Sequence, residues 1–301
     1  MWLLFAFSGP IFWALSTHID KYLVDRYFKN SDTAVLMVFT SLIGLMMLPF
    51  IWFFQPQTLA LPWVDMLVMI VSGILYMGAM LFYLRAIQSE EASVVAPLFQ
   101  ASTVFTFILA YMLLGEILSW INASGVVLIV CGALLLSFDP SFRVRRFKTR
   151  LILLMLACTF VLALSSVLFK YFAIREEFWN TTFWVYVGEA LFGIGILLIP
   201  RYRAQFTSLL KSNTAALLAV NGANELINLG GGLAVRFASL LAPVVLISAI
   251  SSTTTLFVFG FGILLTFLFP RFAREDLSRA NLVHKGIAAL VVAVGVILAN
   301  L

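Results

Sequence analysis

The sequence predicts an all-α polytopic membrane protein in which ten transmembrane helices form two inverted five-helix repeats. Three observations predict this fold class. The 301 residues are 62% hydrophobic and 11% charged, whereas soluble domains carry roughly 45–50% apolar and about 25% charged residues. Apolar runs long enough to cross a bilayer recur along the chain. The chain also matches itself about 150 residues further on, which is the mark of an internal repeat.

Ten apolar runs each reach the length of about 20 residues that crosses a hydrocarbon layer of roughly 30 Å. Short connections separate them and hold much of the proline and charge. The first run lacks a basic leading segment and a small-residue cleavage site, so we expect a retained helix rather than a signal peptide. The runs are Trp2–Tyr22, Thr33–Phe54, Trp63–Ile87, Ala92–Leu114, Leu118–Phe138, Leu151–Phe172, Trp179–Ile199, Thr214–Phe237, Ser239–Phe269 and Leu282–Asn300.

The ninth run is too long for a simple crossing. Its 31 residues would measure about 46 Å as a helix. Such a helix must tilt, break near Gly260 and Gly262, or project from the membrane. We expect it to project or bend.

The basic residues predict the orientation of the chain. Sixteen lie at the odd-numbered connections and three at the even-numbered ones, so the positive-inside rule places the odd connections in the cytoplasm and both termini outside. The sixteen are Lys21, Arg26, Lys29, Arg85, Arg143, Arg145, Arg146, Lys148, Arg150, Arg201, Arg203, Lys211, Arg271, Arg274, Arg279 and Lys285, and the three are Lys170, Arg175 and Arg236.

The repeat divides the chain into two halves of five spans each. Ala14-Leu15-Ser16 followed by Lys21-Tyr22 returns as Ala163-Leu164-Ser165 followed by Lys170-Tyr171, and residues 92–97 (ASVVAP) return as residues 238–243 (ASLLAP). Because five is odd, the second half is inverted relative to the first, as in many secondary transporters. We expect a first repeat over residues 1–138, a basic linker over 139–150 and a second repeat over 151–301.

Three segments of the first half resemble the EamA domain of the drug/metabolite transporter superfamily. They are residues 92–97 (ASVVAP), residues 113–116 (LLGE) and residues 131–135 (CGALL). The resemblance implies two inverted five-helix bundles that work by alternating access, with substrates that range over amino acids, metabolites, nucleotide sugars and drugs. In the first half, Gly115-Glu116 lies between the fourth and fifth runs. The second half departs from this pattern, because residues 270–278 stand at the place where the resemblance implies an equivalent Gly-Glu pair. Glu275 is the candidate counterpart.

The eighth run carries the clearest candidate site. Asn221, Asn224, Glu225 and Asn228 fall at positions i, i+3, i+4 and i+7, which places all four on one helix face. Exposing such a polar face to lipid costs free energy, so we expect the face to line a substrate site or to join a structural hydrogen-bond network. A carboxylate at this depth could carry a proton during a transport cycle. Residues 230–232 are three glycines, where the helix could unwind or another backbone could approach closely.

Four further ionisable residues are candidates for proton coupling or for charge recognition. Glu189 is either functional, or a neutral acid bonded to a neighbouring helix, or paired with Lys170. Lys21 and Lys170 occupy equivalent repeat positions and either meet an anionic group of the substrate or extend to the lipid headgroups. His18 is either a proton carrier or a histidine that forms a structural hydrogen bond with another helix.

Other polar and aromatic residues give weaker signals. Arg85 and Arg236 close the third and eighth runs, where we expect them to anchor to headgroups. The remaining candidate substrate-binding residues could line a substrate site with polar and aromatic side chains, although hydroxyl side chains also join helices without binding a ligand. These candidates are Tyr76, Tyr83, Gln100, Ser102, Ser248 and Ser251.

The sequence thus predicts a secondary active transporter of small polar metabolites, in particular an exporter of amino-acid-like solutes, with protons as a candidate coupling ion. The rivals are a multidrug exporter of apolar cations and, more remotely, an intramembrane enzyme or a receptor. Two histidines and no recognisable catalytic motif argue against an enzyme. We expect no cofactor, no metal and no nucleic-acid partner, a monomer or homodimer, and a location in the cell membrane, specifically a bacterial inner membrane.

Overall fold

The computed structural model describes residues 1–26, 32–89, 98–137, 149–268 and 278–301. These ranges hold eleven α-helices and one 3-10 helix, Pro56–Ala60, and no β-strand. The motif at residues 92–97, most of the linker over 139–150 and Glu275 lie outside the described residues. The α-helices are α1 Trp2–Arg26, α2 Thr33–Phe54, α3 Trp63–Ser89, α4 Ala101–Leu114, α5 Trp120–Ser137, α6 Thr149–Arg175, α7 Phe178–Leu198, α8 Pro200–Leu241, α9 Val244–Ser251, α10 Thr254–Leu268 and α11 Arg279–Ala299.

Seven helical stretches of the described chain are long and apolar enough to cross a membrane, which makes the protein a multi-pass membrane protein. Two more helices, α4 and α5, are apolar but shorter, and α8 is not among the seven. The prediction of an all-helical membrane fold is therefore confirmed, while ten crossings stay a prediction. The seven stretches are Trp2–Leu23, Thr33–Phe54, Trp63–Ala86, Leu151–Arg175, Phe178–Leu198, Val244–Leu268 and Asn281–Ala299.

The structure corrects the expectation for the ninth run. The helix breaks at Ser252–Thr253 rather than near Gly260 and Gly262, and Ser239 belongs to α8. The break has a local cause, because the hydroxyl of Ser252 donates to the carbonyl of Ala249 at 2.6 Å. Such bonds compete with the helical backbone. The helix that is too long for a simple crossing is instead α8, which extends the eighth run to 42 residues and measures about 63 Å.

The helices pack in matched pairs. Set α1, α2, α3, α4 and α5 against α6, α7, α8, the α9–α10 pair and α11, and the most extensive contacts between the two halves have equivalents. α1 packs on α8 as α6 packs on α3, and α4 packs on α6 as α9 and α10 pack on α1. α2 contacts α8 as α7 contacts α3, and α5 packs along α11.

Glycines allow two of these pairs to approach closely. An added Cβ at Gly125 of α5 would lie 2.4 Å from the backbone nitrogen of Ala299 in α11. An added Cβ at Gly73 of α3 would lie 2.2 Å from the carbonyl oxygen of Val185 in α7. Small residues that bring backbones together are the usual basis of helix association in lipid.

The two ends of the helix bundle differ in composition. Exposed tryptophans stand at the end of α2 and at the starts of α3, α5 and α7, and we call this side the tryptophan end; the residues are Trp52, Trp63, Trp120 and Trp179. Lys21, Arg85 and Arg201 lie at the opposite, basic end. Aromatic side chains at one boundary and basic ones at the other are typical of a protein placed across a bilayer.

Candidate functional site

The predicted polar face of α8 lies between α1 and α2. Helix α8 is continuous from Pro200 to Leu241, so Asn221, Asn224 and Glu225 share one side of a regular helix. All three are buried, with 2%, 0% and 3% of their surface exposed. Asn228, one turn further along, is half-buried.

Helices α1 and α2 supply the partners of this face. The side-chain amide of Asn224 donates to Oδ1 of Asp20 at 2.6 Å, and the hydroxyl of Thr40 donates to Oε1 of Glu225 at 3.0 Å. We call Asp20, Thr40, Asn221, Asn224 and Glu225 the central polar cluster. Neither Asp20 nor Thr40 was a predicted site residue. An acidic side chain inside an apolar run was the signal that could have found Asp20.

The central polar cluster holds more hydrogen-bond acceptors than donors. The amide oxygens of Asn221 and Asn224 are buried and have no hydrogen-bond partner among the described residues. Beside them stand the carboxylates of Asp20 and Glu225, which accept hydrogen bonds when they are ionised. Unpaired buried acceptors are costly. The cluster is therefore chemically suited to a ligand that brings N–H donors and positive charge.

The three glycines beyond the cluster serve helix packing and leave an open space. Helix α8 does not unwind there. Instead α1 approaches closely, since an added Cβ at Gly231 would lie 3.2 Å from side-chain atoms of Phe12 and Trp13. An added Cβ at Gly232 would meet no atom within 4 Å.

A second buried group of charges lies near the other end of the same helix. Arg236 donates from Nη2 to Oε1 of Glu189 on α7 at 2.8 Å, and the side chains of the two residues are 18% and 7% exposed. The guanidinium carbon lies 5.2 Å from the ring centroids of both Phe169 and Tyr186. The expectation that Arg236 anchors to headgroups is therefore wrong. Glu189 pairs with this arginine rather than with Lys170.

Tyr76 of α3 is near both groups. It is close enough to Glu189, Arg236 and Glu225 to interact electrostatically with all three. Of the six weaker candidates, Tyr76 is the one that the structure brings near the ionisable residues of α7 and α8.

Lys170 forms a separate ion pair at the tryptophan end. Its Nζ lies 2.5 Å from Oε1 of Glu116 and donates to the carbonyl of Ala242 at 2.7 Å. The other oxygen of Glu116 accepts from the backbone N–H of Val244 at 2.9 Å. We call these four residues the Lys170 junction. The junction connects α6, the α4–α5 turn and the start of α9. Lys170 does not extend to headgroups, whereas its repeat counterpart Lys21 is exposed and makes no ion pair with a described residue.

The other predicted site residues lie on different contacts. His18 of α1 is 3.0 Å from the carbonyl of Val258 in α10, and Ser248 is 3.1 Å from the hydroxyl of Thr103 in α4. Tyr83 packs on Phe99 with ring centroids 4.6 Å apart. Ser251 bonds within its own helix, Gln100 is buried at the start of α4, and Ser102 is half-buried. No contact in the described residues joins these side chains to the central polar cluster.

Comparison with known proteins shows a shared fold and a family match in the first half of the chain. One protein crystal structure superimposes on 99% of this chain and 96% of its own chain, with a TM-score of 0.71 and 16% sequence identity, which shows a shared fold. No curated protein matches the sequence. Residues 1–138 match the EamA-like transporter family. The predicted resemblance to the EamA family is therefore confirmed over the first 138 residues of the chain.

Proposed function

We propose that this membrane transporter is a secondary active exporter of small zwitterionic metabolites, such as amino acids, and that Glu225 carries the coupling proton. The central polar cluster carries the proposal. Its unpartnered amide oxygens and its two carboxylates match the three N–H donors of an ammonium group. A cluster that served only to join helices would be expected to satisfy its own acceptors.

Alternating access between two inverted repeats is the mechanism that we propose. The matched helix pairs support it, because the most extensive contacts between the first five and the second five helices have equivalents. The repeat-equivalent lysines differ, since Lys170 is held in its junction and Lys21 is exposed. In a transporter with two repeats, such a difference is expected of a conformation closed at one end.

The rival function is export of apolar cations. An acid that binds such cations is expected to stand among aromatic rings. Glu225 instead accepts a hydrogen bond from the hydroxyl of Thr40, and its near neighbours on α8 are Asn221, Asn224 and Asn228. The polar setting favours a hydrated ammonium over an apolar cation.

We also propose that the chain lies in the cell membrane, in particular a bacterial inner membrane, with its basic odd-numbered connections in the cytoplasm. The concentration of exposed tryptophans at one end and of basic residues at the other supports this placement. A monomer or homodimer in the lipid bilayer stays our expectation.

The test is exchange transport in proteoliposomes that contain the purified protein. Amino acids, organic acids and quaternary amines are supplied with and without a pH gradient. We expect a saturable, pH-driven signal for one class of zwitterion. The signal is expected to disappear in Glu225→Gln and to persist in the matched control Glu177→Gln, which changes an exposed glutamate. Full pH-driven exchange by Glu225→Gln would refute proton coupling through this residue, and signals from apolar cations alone would favour the rival function.

A further inference from the structure

The inward face of α8 runs from Glu225 to a buried arginine. Residues eleven positions apart on an α-helix differ by three turns and about 20° in direction, with a rise of about 16 Å. Glu225 and Arg236 therefore share one face. Gly232 lies on that face too, four residues before Arg236. Exposed Leu226 lies about 100° round the helix from Glu225, on its outward side.

Arg236 has unused hydrogen-bonding capacity. A guanidinium carries five N–H donors. Of these, one is bound to Glu189 and one is directed at Tyr186, which leaves three without a partner among the described residues. A buried cation with a single carboxylate contact and three unused donors is an incomplete anion site, because an arginine fork can hold a second carboxylate with two parallel bonds.

Among the described residues, no side chain or backbone of another helix crowds the α8 backbone next to Arg236 at Gly232. Side chains on a helix lean toward its N-terminus, so the guanidinium of Arg236 extends back over Gly232. An added Cβ at Gly232 would meet no atom within 4 Å, whereas an added Cβ at the neighbouring Gly231 would contact α1. Glu189, which holds the arginine, is near enough to Glu225 to interact with it electrostatically. The acceptor cluster and the arginine therefore border the same region.

We propose that Arg236 binds the carboxylate of the transported zwitterion, in the open space at Gly232, while the ammonium group faces the central polar cluster. The inference rests on the proposed function and assigns the anionic end of its substrate. Glu189 neutralises the guanidinium when no substrate is present, and the three unused donors receive the substrate carboxylate. Neither Lys21 nor Lys170 is needed for this, since Lys170 is committed to Glu116.

The test separates the two ends of the substrate. The twenty common amino acids are screened on the wild-type protein by thermal stabilisation in detergent. The one with the largest shift is then compared with the amine formed by its decarboxylation. In the double variant Arg236→Gln/Glu189→Gln, which removes both buried charges together, we expect affinity for the amino acid to fall by about 30-fold or more. Affinity for the amine is expected to change less than about threefold. The control Arg85→Gln, at the equivalent repeat position and outside this region, is expected to change neither.

A steric variant provides an independent readout. Gly232→Leu fills the open space and is expected to abolish binding of the amino acid while the protein still folds. Gly222→Leu, where an added Cβ also meets nothing within 4 Å, is expected to bind normally. If the double variant binds the amino acid as the wild type does, the inference about Arg236 is overturned and the proposed function stands. If no amino acid stabilises or is exchanged by the wild type, the proposed function fails and this inference fails with it.

Discussion

The Lys170 junction makes a quantitative prediction about stability. Replacing Lys170 by Met leaves the carboxylate of Glu116 buried without its cation, at a site where the two side chains are 9% and 12% exposed. Breaking a buried ion pair from one side costs about 3–5 kcal/mol. Glu116→Gln leaves the lysine uncompensated and is expected to cost a similar amount.

The double variant Lys170→Met/Glu116→Gln is expected to be more stable than the two single losses imply. It removes both charges, and the glutamine oxygen can still accept from the N–H of Val244. The remaining loss is then mainly the hydrogen bond from Lys170 to the carbonyl of Ala242, worth about 1.5–3 kcal/mol for a charged donor. The coupling energy between the two positions is therefore expected to exceed about 3 kcal/mol, in line with about 4 kcal/mol for unit charges 4 Å apart at an effective dielectric of 20.

The assay is a double-mutant cycle from unfolding by sodium dodecyl sulfate in mixed micelles. Arg175→Met is the matched control, because Arg175 lies at the same end of α6 but is exposed, and Tyr171 is its hydrogen-bond partner among the described residues. Its stability is expected to stay within about 0.5 kcal/mol of the wild type. Single losses that add to within about 0.5 kcal/mol would refute the argument, since they would show that the two charges do not interact.

Two further variants test the packing and the site. Gly73→Ala places a Cβ about 2 Å from the carbonyl of Val185, so we expect it to lower the melting temperature strongly or to prevent a monodisperse peak in size exclusion. Gly195→Ala adds a Cβ where no atom lies within 4 Å and is expected to have neither effect. Equal behaviour of the two variants would contradict the close approach of α3 and α7. Thr40→Val removes the donor to Glu225 and is expected to cost about 1–3 kcal/mol in the same unfolding assay, and an unchanged stability would show that this hydrogen bond does not form.

Local patterns in the sequence were enough to predict membrane helices and one polar helix face. Composition and run length predict membrane helices because apolar side chains must match the bilayer over a fixed distance. The spacing of Asn221, Asn224 and Glu225 predicts their shared face because it depends only on helical geometry. The structure places these three together, buried on one side of α8. The break at Ser252–Thr253 was harder to predict from the sequence, since it depends on hydroxyl groups that bond to the backbone rather than on glycine.

Contacts between distant helices were decided by the tertiary structure alone. The sequence displays Glu189, Lys170 and Arg236 as isolated charges in apolar surroundings, and any of them could pair with another. Packing selects the pairs, because a charge buried in a membrane is stabilised by an opposite charge that the helix arrangement brings within reach. That arrangement joins Arg236 to Glu189 and Lys170 to Glu116. The sequence by itself determined which faces are polar, and the fold decided which partners those faces meet.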